Sequence, residues 1–176
     1  MRKCSADVNH IRLHGAVGEA PVYSHLNHGV EFYTFPLVVR RLSGAEDQVN
    51  VVAPLELLEC CGPLERESEL TVLGEVRTFN NRTGVGSRLV ISAFARELRQ
   101  EPGEDENRLE LSGTLCKTPS LRATPLGRTI CDMILAVNRR YGRADYLPCI
   151  AWGSLAYQCG QMEVGEKLGL EGRLQS

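Results

Sequence analysis

The chain is poor in aromatic residues, which make up 6% of its 176 positions and include a single tryptophan, Trp152. It has no apolar run of membrane-spanning length, and its first residues, "MRKCSADVNH", lack the apolar core of a secretory signal. These absences predict a cytoplasmic protein with no membrane partner. No phosphate-cradling glycine motif, no H-x-E with C-x-x-C and no nucleophile elbow occurs. Seven cysteines form an odd set without a C-x-x-C pair, so free thiols in a reducing compartment are expected. His10 and His14 stand four apart with no acidic or cysteine partner evident nearby, which gives no metal site. No catalytic group finds a partner; neither an enzyme nor a cofactor is expected. Net charge is -2, so a nucleic-acid site would have to be a local patch rather than a property of the whole chain. With 43% hydrophobic and 24% charged residues, the composition is that of a folded protein.

What the sequence does contain is an internal repeat. "NHIRLHGAV" at 9–17 matches "NRLELSGTL" at 107–115, and the offset of 98 continues ungapped through residues 78 and 176. The 70 aligned positions hold 17 identities, falling largely on glycines and apolar residues, among them Gly15/Gly113, Arg41/Arg139, Asp47/Asp145 and Gly74/Gly172. A constant register through every turn indicates two copies of one domain rather than scattered likeness. We assign residues 1–98 to the first copy, 99–106 ("RQEPGEDE") to a linker and 107–176 to the second.

Each copy reads as mostly β. In the first, residues 10–17, 32–42, 47–54, 70–79 and 88–98 alternate as five strands, and "LELLECC" between the third and fourth has the one helical pattern. Five strands with a helix after the third is the order of an OB-fold, a Greek-key barrel. The expectation is an all-β chain of two tandem OB barrels. The second copy stops at the equivalent of Thr78 and so lacks the last strand of the first. Gly15, Gly113, Gly74 and Gly172 are the expected barrel corners.

"NRLELSGTLCKTP", "TPLGRTICDMILAVNRRY", "CIAWGSLA" and "VGEKLGLEGRLQS" resemble the bacterial single-stranded DNA-binding protein family across nearly all of the second copy. The two-OB version found in clostridia-like bacteria is the most similar form, and the first copy matches more loosely through "NHIRLHGAV", "FPLVVRRLSG" and "GEVRTFNN". The resemblance implies base stacking at Tyr141, Tyr146 and Trp152, where the family usually has two tryptophans and a phenylalanine. It implies phosphate contacts from Arg122, Arg128, Arg139, Arg140 and Arg143, with Lys117 on the loop side. It also implies four OB domains per assembly, hence a homodimer, with replication and repair proteins as further partners.

The residues support that chemistry independently. Binding single strands needs a basic groove and exposed rings. Residues 108–153 hold seven basic side chains against three acids, Glu110, Asp132 and Asp145, a local excess of four positive charges. In "DYLPCIAWG" the strand alternation sets Tyr146, Pro148, Ile150 and Trp152 on one face and Leu147, Cys149 and Ala151 on the other. The first copy has Gln48, Asn50, Val52 and Pro54 on the former and the apolar Val49, Val51 and Ala53 on the latter. The small set is therefore the shared core, and the rings face outward. Ser43, Gln48 and Pro54 replace the three rings in the first copy, which leaves Arg40, Arg41, Arg77 and Phe79 as its weaker candidates. Its expected role is structural, and Phe32, Tyr33 and Phe35 are read as core or interface packing. The leading function is binding of single-stranded DNA in replication, repair or recombination, in the cytoplasm at the nucleoid. The alternatives are an OB-fold adaptor of the replication-restart type, acting through protein contacts, and a binder of single-stranded RNA.

Overall fold

The computed structural model describes residues 6–80 and 89–176. Cys4 and the glycine-containing turn expected before residue 89 lie outside them. The chain is mostly β, with eleven strands and two short helices among the described residues. Contacts divide it into two compact units. One comprises residues 9–110 with 171–176, the other residues 111–170 with the described residues 6–8. The division does not fall at residues 98 and 106: the linker and the start of the second copy join the first unit.

The first unit contains β1 (Asn9–Val17), β2 (Val22–Asn27), β3 (Val30–Arg40), β4 (Glu46–Pro54), α1 (Leu55–Cys61), β5 (Glu69–Asn80) and β6 (Leu89–Gln100). β1 pairs with β3 and β5, β3 with β4, β4 in parallel with β6, and β6 with β5. The pairings close a ring in the order β1-β3-β4-β6-β5. Phe35, Leu37 and Val39 of β3 and Val49, Val51 and Ala53 of β4 alternate inward and are buried. β2 is an additional strand on the free edge of β3.

In the other half, β7 (Glu106–Leu115) pairs with β9 (Thr129–Asn138) and β11 (Lys167–Gly172), while β9 also takes β10 (Ala144–Trp152) and the short β8 (Ser120–Ala123). α2 (Ser154–Gly160) follows β10 as α1 follows β4. Leu115, Cys131, Met133, Ala156 and Cys159 form a buried cluster, with Cys149, Ala151, Met162 and Leu168 packed against it. Small residues let α2 approach closely; a Cβ on Gly160 would stand 2.7 Å from the Leu121 side chain.

The repeat persists bond by bond. The Asn9 side-chain amide donates to the Val76 carbonyl and its oxygen accepts from the Val76 N–H, both at 2.8 Å; Asn107 makes the same reciprocal pair with Leu174 at 2.7 and 3.1 Å. The Val17 N–H donates to the Ser68 carbonyl and the Leu115 N–H to that of Glu166, each at 2.9 Å. Gly15 and Gly113 have one reason for being glycine: a Cβ there would lie 2.3 Å from the Val38 carbonyl oxygen and 2.4 Å from that of Ala136. Gly74 likewise faces the Phe94 carbonyl, at 2.0 Å. Its counterpart Gly172 has nothing within 4 Å, so the expectation of a matching corner there is not met.

Two strands were not expected. All six residues of β2 and all four of β8 are exposed. A strand wet on both faces has no apolar alternation to reveal it.

Candidate nucleic-acid interface

β10 carries two of the candidate rings, and its exposure alternates residue by residue. Leu147 is buried at 3% exposure, while Tyr146 and Trp152 are 54% and 44% exposed on the opposite face, with Pro148 and Ile150 between them. Pro148 cannot donate to a ladder, and β10 pairs only with β9 among the described residues, so the proline is accommodated on a free edge. Directly opposite residues on paired strands share a face. Tyr146 thus stands beside Ala136, Ile150 beside Asp132 and Trp152 beside Ile130, and the row continues from Ile130 to Arg122 on β8. Along this row Trp152 and Arg122 are exposed while Ile130 between them is buried, so an indole and a guanidinium stand two strands apart, about 10 Å at a strand spacing of about 4.8 Å.

Tyr141 is 93% exposed at the tip of the turn between β9 and β10. The turn is closed by the Arg139 N–H donating to the Arg143 carbonyl at 2.6 Å and by Gly142 at φ 83°, a conformation that favours glycine. It is also clamped from inside. Arg139 donates from Nε and Nη2 to the two oxygens of Asp145 at 2.7 and 2.6 Å, and Asp145 is buried. Arg41 and Asp47 make the same bidentate pair in the first unit, at 2.8 and 2.5 Å. The Arg41 hydrogen bond holds the Asp47 carboxyl below the usual carboxylate range.

The seven basic residues of 108–153 sort by their acids. Arg108 lies 4.0 Å from Glu110 and 3.6 Å from Glu171, Arg122 2.5 Å from Asp132, and Arg139 is held by Asp145. Asp132 raises the Arg122 pKa through this hydrogen bond. Each of the three acids in the segment thus faces one arginine. Lys117, Arg128, Arg140 and Arg143 are exposed and make no ion pair among the described residues. These four account for the local positive excess. Arg140 and Arg143 flank Tyr141, and Arg128 sits on the β8–β9 turn, where its N–H donates to Thr124 Oγ1.

One further ring escaped the sequence reading. Tyr157 on α2 is exposed, and its hydroxyl lies 3.1 Å from Thr129 Oγ1, the residue whose carbonyl accepts from the Gly153 N–H just after Trp152. A tyrosine in a seven-residue helix gives no signal by itself; its placement beside the Trp152 row comes from the β10–α2 turn.

In the first unit, Arg40 pairs with Glu46 at 3.2 Å, and Arg41 is committed to Asp47. Arg77 shares Glu75 with Arg96, and Phe79 is exposed. Among the described residues no group of three or more His, Cys, Asp or Glu could hold a metal ion, and no helix is long and apolar enough to cross a membrane.

With that geometry in place, comparison with known proteins is direct. Residues 106–176 match the single-strand binding protein family. Over 77 residues the chain is 36% identical to the single-stranded DNA-binding protein of Clostridium tetani, covering 40% of this chain and 53% of that one. Single-stranded DNA-binding protein A of Bacillus subtilis is 36% identical over the same length, 45% of its chain. The chain thus spans about half the length of the curated relatives it matches. In three dimensions it resembles the wild-type single-stranded DNA binding protein from Thermus aquaticus, with a TM-score of 0.82 at 23% identity over 97% of this chain and 86% of that one. That likeness extends the shared fold beyond the matched segment to nearly the whole chain.

Proposed function

We propose that this chain, whose residues 106–176 belong to the single-strand binding protein family, binds single-stranded DNA without strong sequence preference in replication, repair or recombination. The observation that carries the reading is the outer face of β10. Tyr146 and Trp152 are exposed on the face opposite buried Leu147 and half-buried Cys149 and Ala151, within a segment whose excess cations make no ion pair among the described residues. Exposed rings on a sheet are costly to leave in water unless something covers them, and a base does so at about 1–3 kcal/mol each.

In this reading Tyr141, Tyr146 and Trp152 take bases, and Lys117, Arg128, Arg140 and Arg143 take phosphates. Arg122, tied to Asp132 at the end of the Trp152 row, offers a guanidinium plane for stacking as well as charge. Arg139 changes role: its bidentate pair with buried Asp145 makes it the clamp of the turn that presents Tyr141. The ring of strands in the first unit and the matching order β11-β7-β9-β10 in the second support two OB barrels, each with its helix after the third barrel strand. A homodimer supplying four such barrels is the assembly we infer, and equilibrium sedimentation tests it.

Trp152 is the only tryptophan, so its emission reports the site. Oligo(dT) is expected to quench it, and added salt to reverse the quench. Trp152→Ala and Tyr146→Ala each should weaken binding by about 1–3 kcal/mol. An emission spectrum unchanged at saturating oligonucleotide and low salt would overturn the reading.

A further inference from the structure

The first unit lacks rings at the three positions aligned with Tyr141, Tyr146 and Trp152, yet its outer face is not bare. Pro54 occupies the Trp152 position, and its neighbour across the β3–β4 ladder is Phe32. Phe32 in turn pairs with His25 of β2. The row that reads Trp152, Ile130, Arg122 in one unit therefore reads Pro54, Phe32, His25 in the other. The ring has moved one strand outward, and an imidazole stands where the guanidinium was.

Two of these rings lie face to face, and a third meets one of them at a tilt of 42°. His25 stacks on Phe32 with centroids 4.8 Å apart and planes 10° from parallel, and Phe32 meets Phe94 of β6 at 5.6 Å. The Arg77 guanidinium lies 3.9 Å from the Phe94 centroid and that of Arg96 5.1 Å. Both arginines share one carboxylate, Glu75, at 2.6 and 2.7 Å, which leaves one positive charge in excess at this end of the row. Val52, opposite Thr34 of β3 and Phe94 of β6, is outward by alternation yet buried beneath the rings. His25 is exposed, and Phe32 and Phe94 are half-buried.

We propose that the first unit carries a second stacking ladder, made of His25, Phe32 and Phe94 and bordered by Arg77 and Arg96, that takes the bases of single-stranded DNA. The occupant follows from the chemistry. A stacked pair, His25 and Phe32, beside a tilted ring, Phe94, that already carries two guanidinium groups offers flat faces to bases, and cationic charge beside them suits a polyanion. A protein partner would need neither the parallel stack nor the two arginines sharing one acid. The ladder rests on the reading of the chain as a single-strand binder, but it uses residues independent of the Trp152 face.

The test uses the full chain. His25→Trp in a Trp152→Phe background places the sole indole on the ladder, while the parent chain reports the Trp152 face. Both are titrated with oligo(dT) of about 8 and about 35 nucleotides, lengths set by the usual reach of one and several OB sites. The long oligonucleotide is expected to quench the introduced indole, reversibly with salt. His25→Ala with Arg96→Gln, both exposed and no threat to folding, is expected to weaken long-oligonucleotide binding about tenfold, the scale of one lost stacked base, while the short-oligonucleotide quench of Trp152 stays unchanged. An introduced indole that stays silent while Trp152 of the parent is quenched overturns the ladder and leaves the Trp152 face standing. Quenching at the ladder with a silent Trp152 upholds the ladder and overturns the other face. Silence at both removes both.

Discussion

At the scale of single residues, a sequence counts charges but does not say which of them are engaged. Arg139 and Arg140 are adjacent and chemically identical, yet one is bound to a buried carboxylate six residues away across a turn and the other carries no ion pair among the described residues. Arg139→Gln would remove the bidentate ion pair to buried Asp145, at a cost of about 3 kcal/mol. Thermal melts should show that loss, whereas Arg140→Gln should leave the melting temperature unchanged and weaken DNA binding. The twin pair gives a pH dependence. Asp47 is held below its ordinary range chiefly by Arg41, so as pH falls the unfolded chain takes up this proton first. Its stabilising contribution is full above the ordinary carboxylate range of about 4 and is lost as pH drops through the lower folded value. Melts across that range should fall more steeply for the parent than for Asp47→Asn. The two sets of β10 were legible from alternation, and which of them faces inward from comparison with the first copy. The partner of Arg139 was not, because it depends on a turn geometry that spacing does not reveal.

Elements repeat more faithfully than residues do. At the offset of 98, β1, β3, β4, α1 and β5 stand against β7, β9, β10, α2 and β11, because ladders and core tolerate little change at glycine and apolar positions. Gly15 and Gly113 are the sharpest case. In each, a Cβ would press on a carbonyl of the facing strand, at 2.3 and 2.4 Å, so backbone rather than a flexible side chain would have to move. Gly15→Ala and Gly113→Ala should each cost about 1–3 kcal/mol, as other overpacking does, with equal losses in chemical denaturation if the two corners are equivalent. The thiols divide in the same element-based way. Burial pushes Cys149 up to about 11 and raises Cys131 and Cys159, all three in the core around α2. Cys60 and Cys116 are exposed. Peptide-mapped alkylation at pH 8 should label the exposed pair quickly and the core trio only on unfolding. β2 and β8 were invisible to the same reasoning because neither buries a face, and with β2 went the row from Pro54 to His25. Phe32 and Phe94 lie on strands distant in sequence, so only the closed ring of strands brings their rings together.

For the whole molecule the net charge of -2 conceals a polarised arrangement. In residues 108–153 every acid faces an arginine, and the remaining cations, Lys117, Arg128, Arg140 and Arg143, are exposed. If these four are the phosphate contacts of the Trp152 face, the salt dependence of its binding is fixed in advance. Single-strand binding falls with log salt at a slope of about -0.7 per neutralised phosphate, so four contacts give about -3. Arg140→Gln with Arg143→Gln should halve that slope while keeping most of the Trp152 quench at low salt, because the rings are untouched. The measurement is a salt titration of Trp152 emission with a short oligo(dT), which confines the readout to one face. A slope well beyond -3 would mean that Arg108, Arg122 or Arg139 releases its acid to hold phosphate, and the ion pairs would then be displaced on binding rather than part of the scaffold. A slope near zero would mean that stacking alone holds the strand and that these four cations serve another purpose. The value distinguishes these cases because each acid in the segment already faces an arginine.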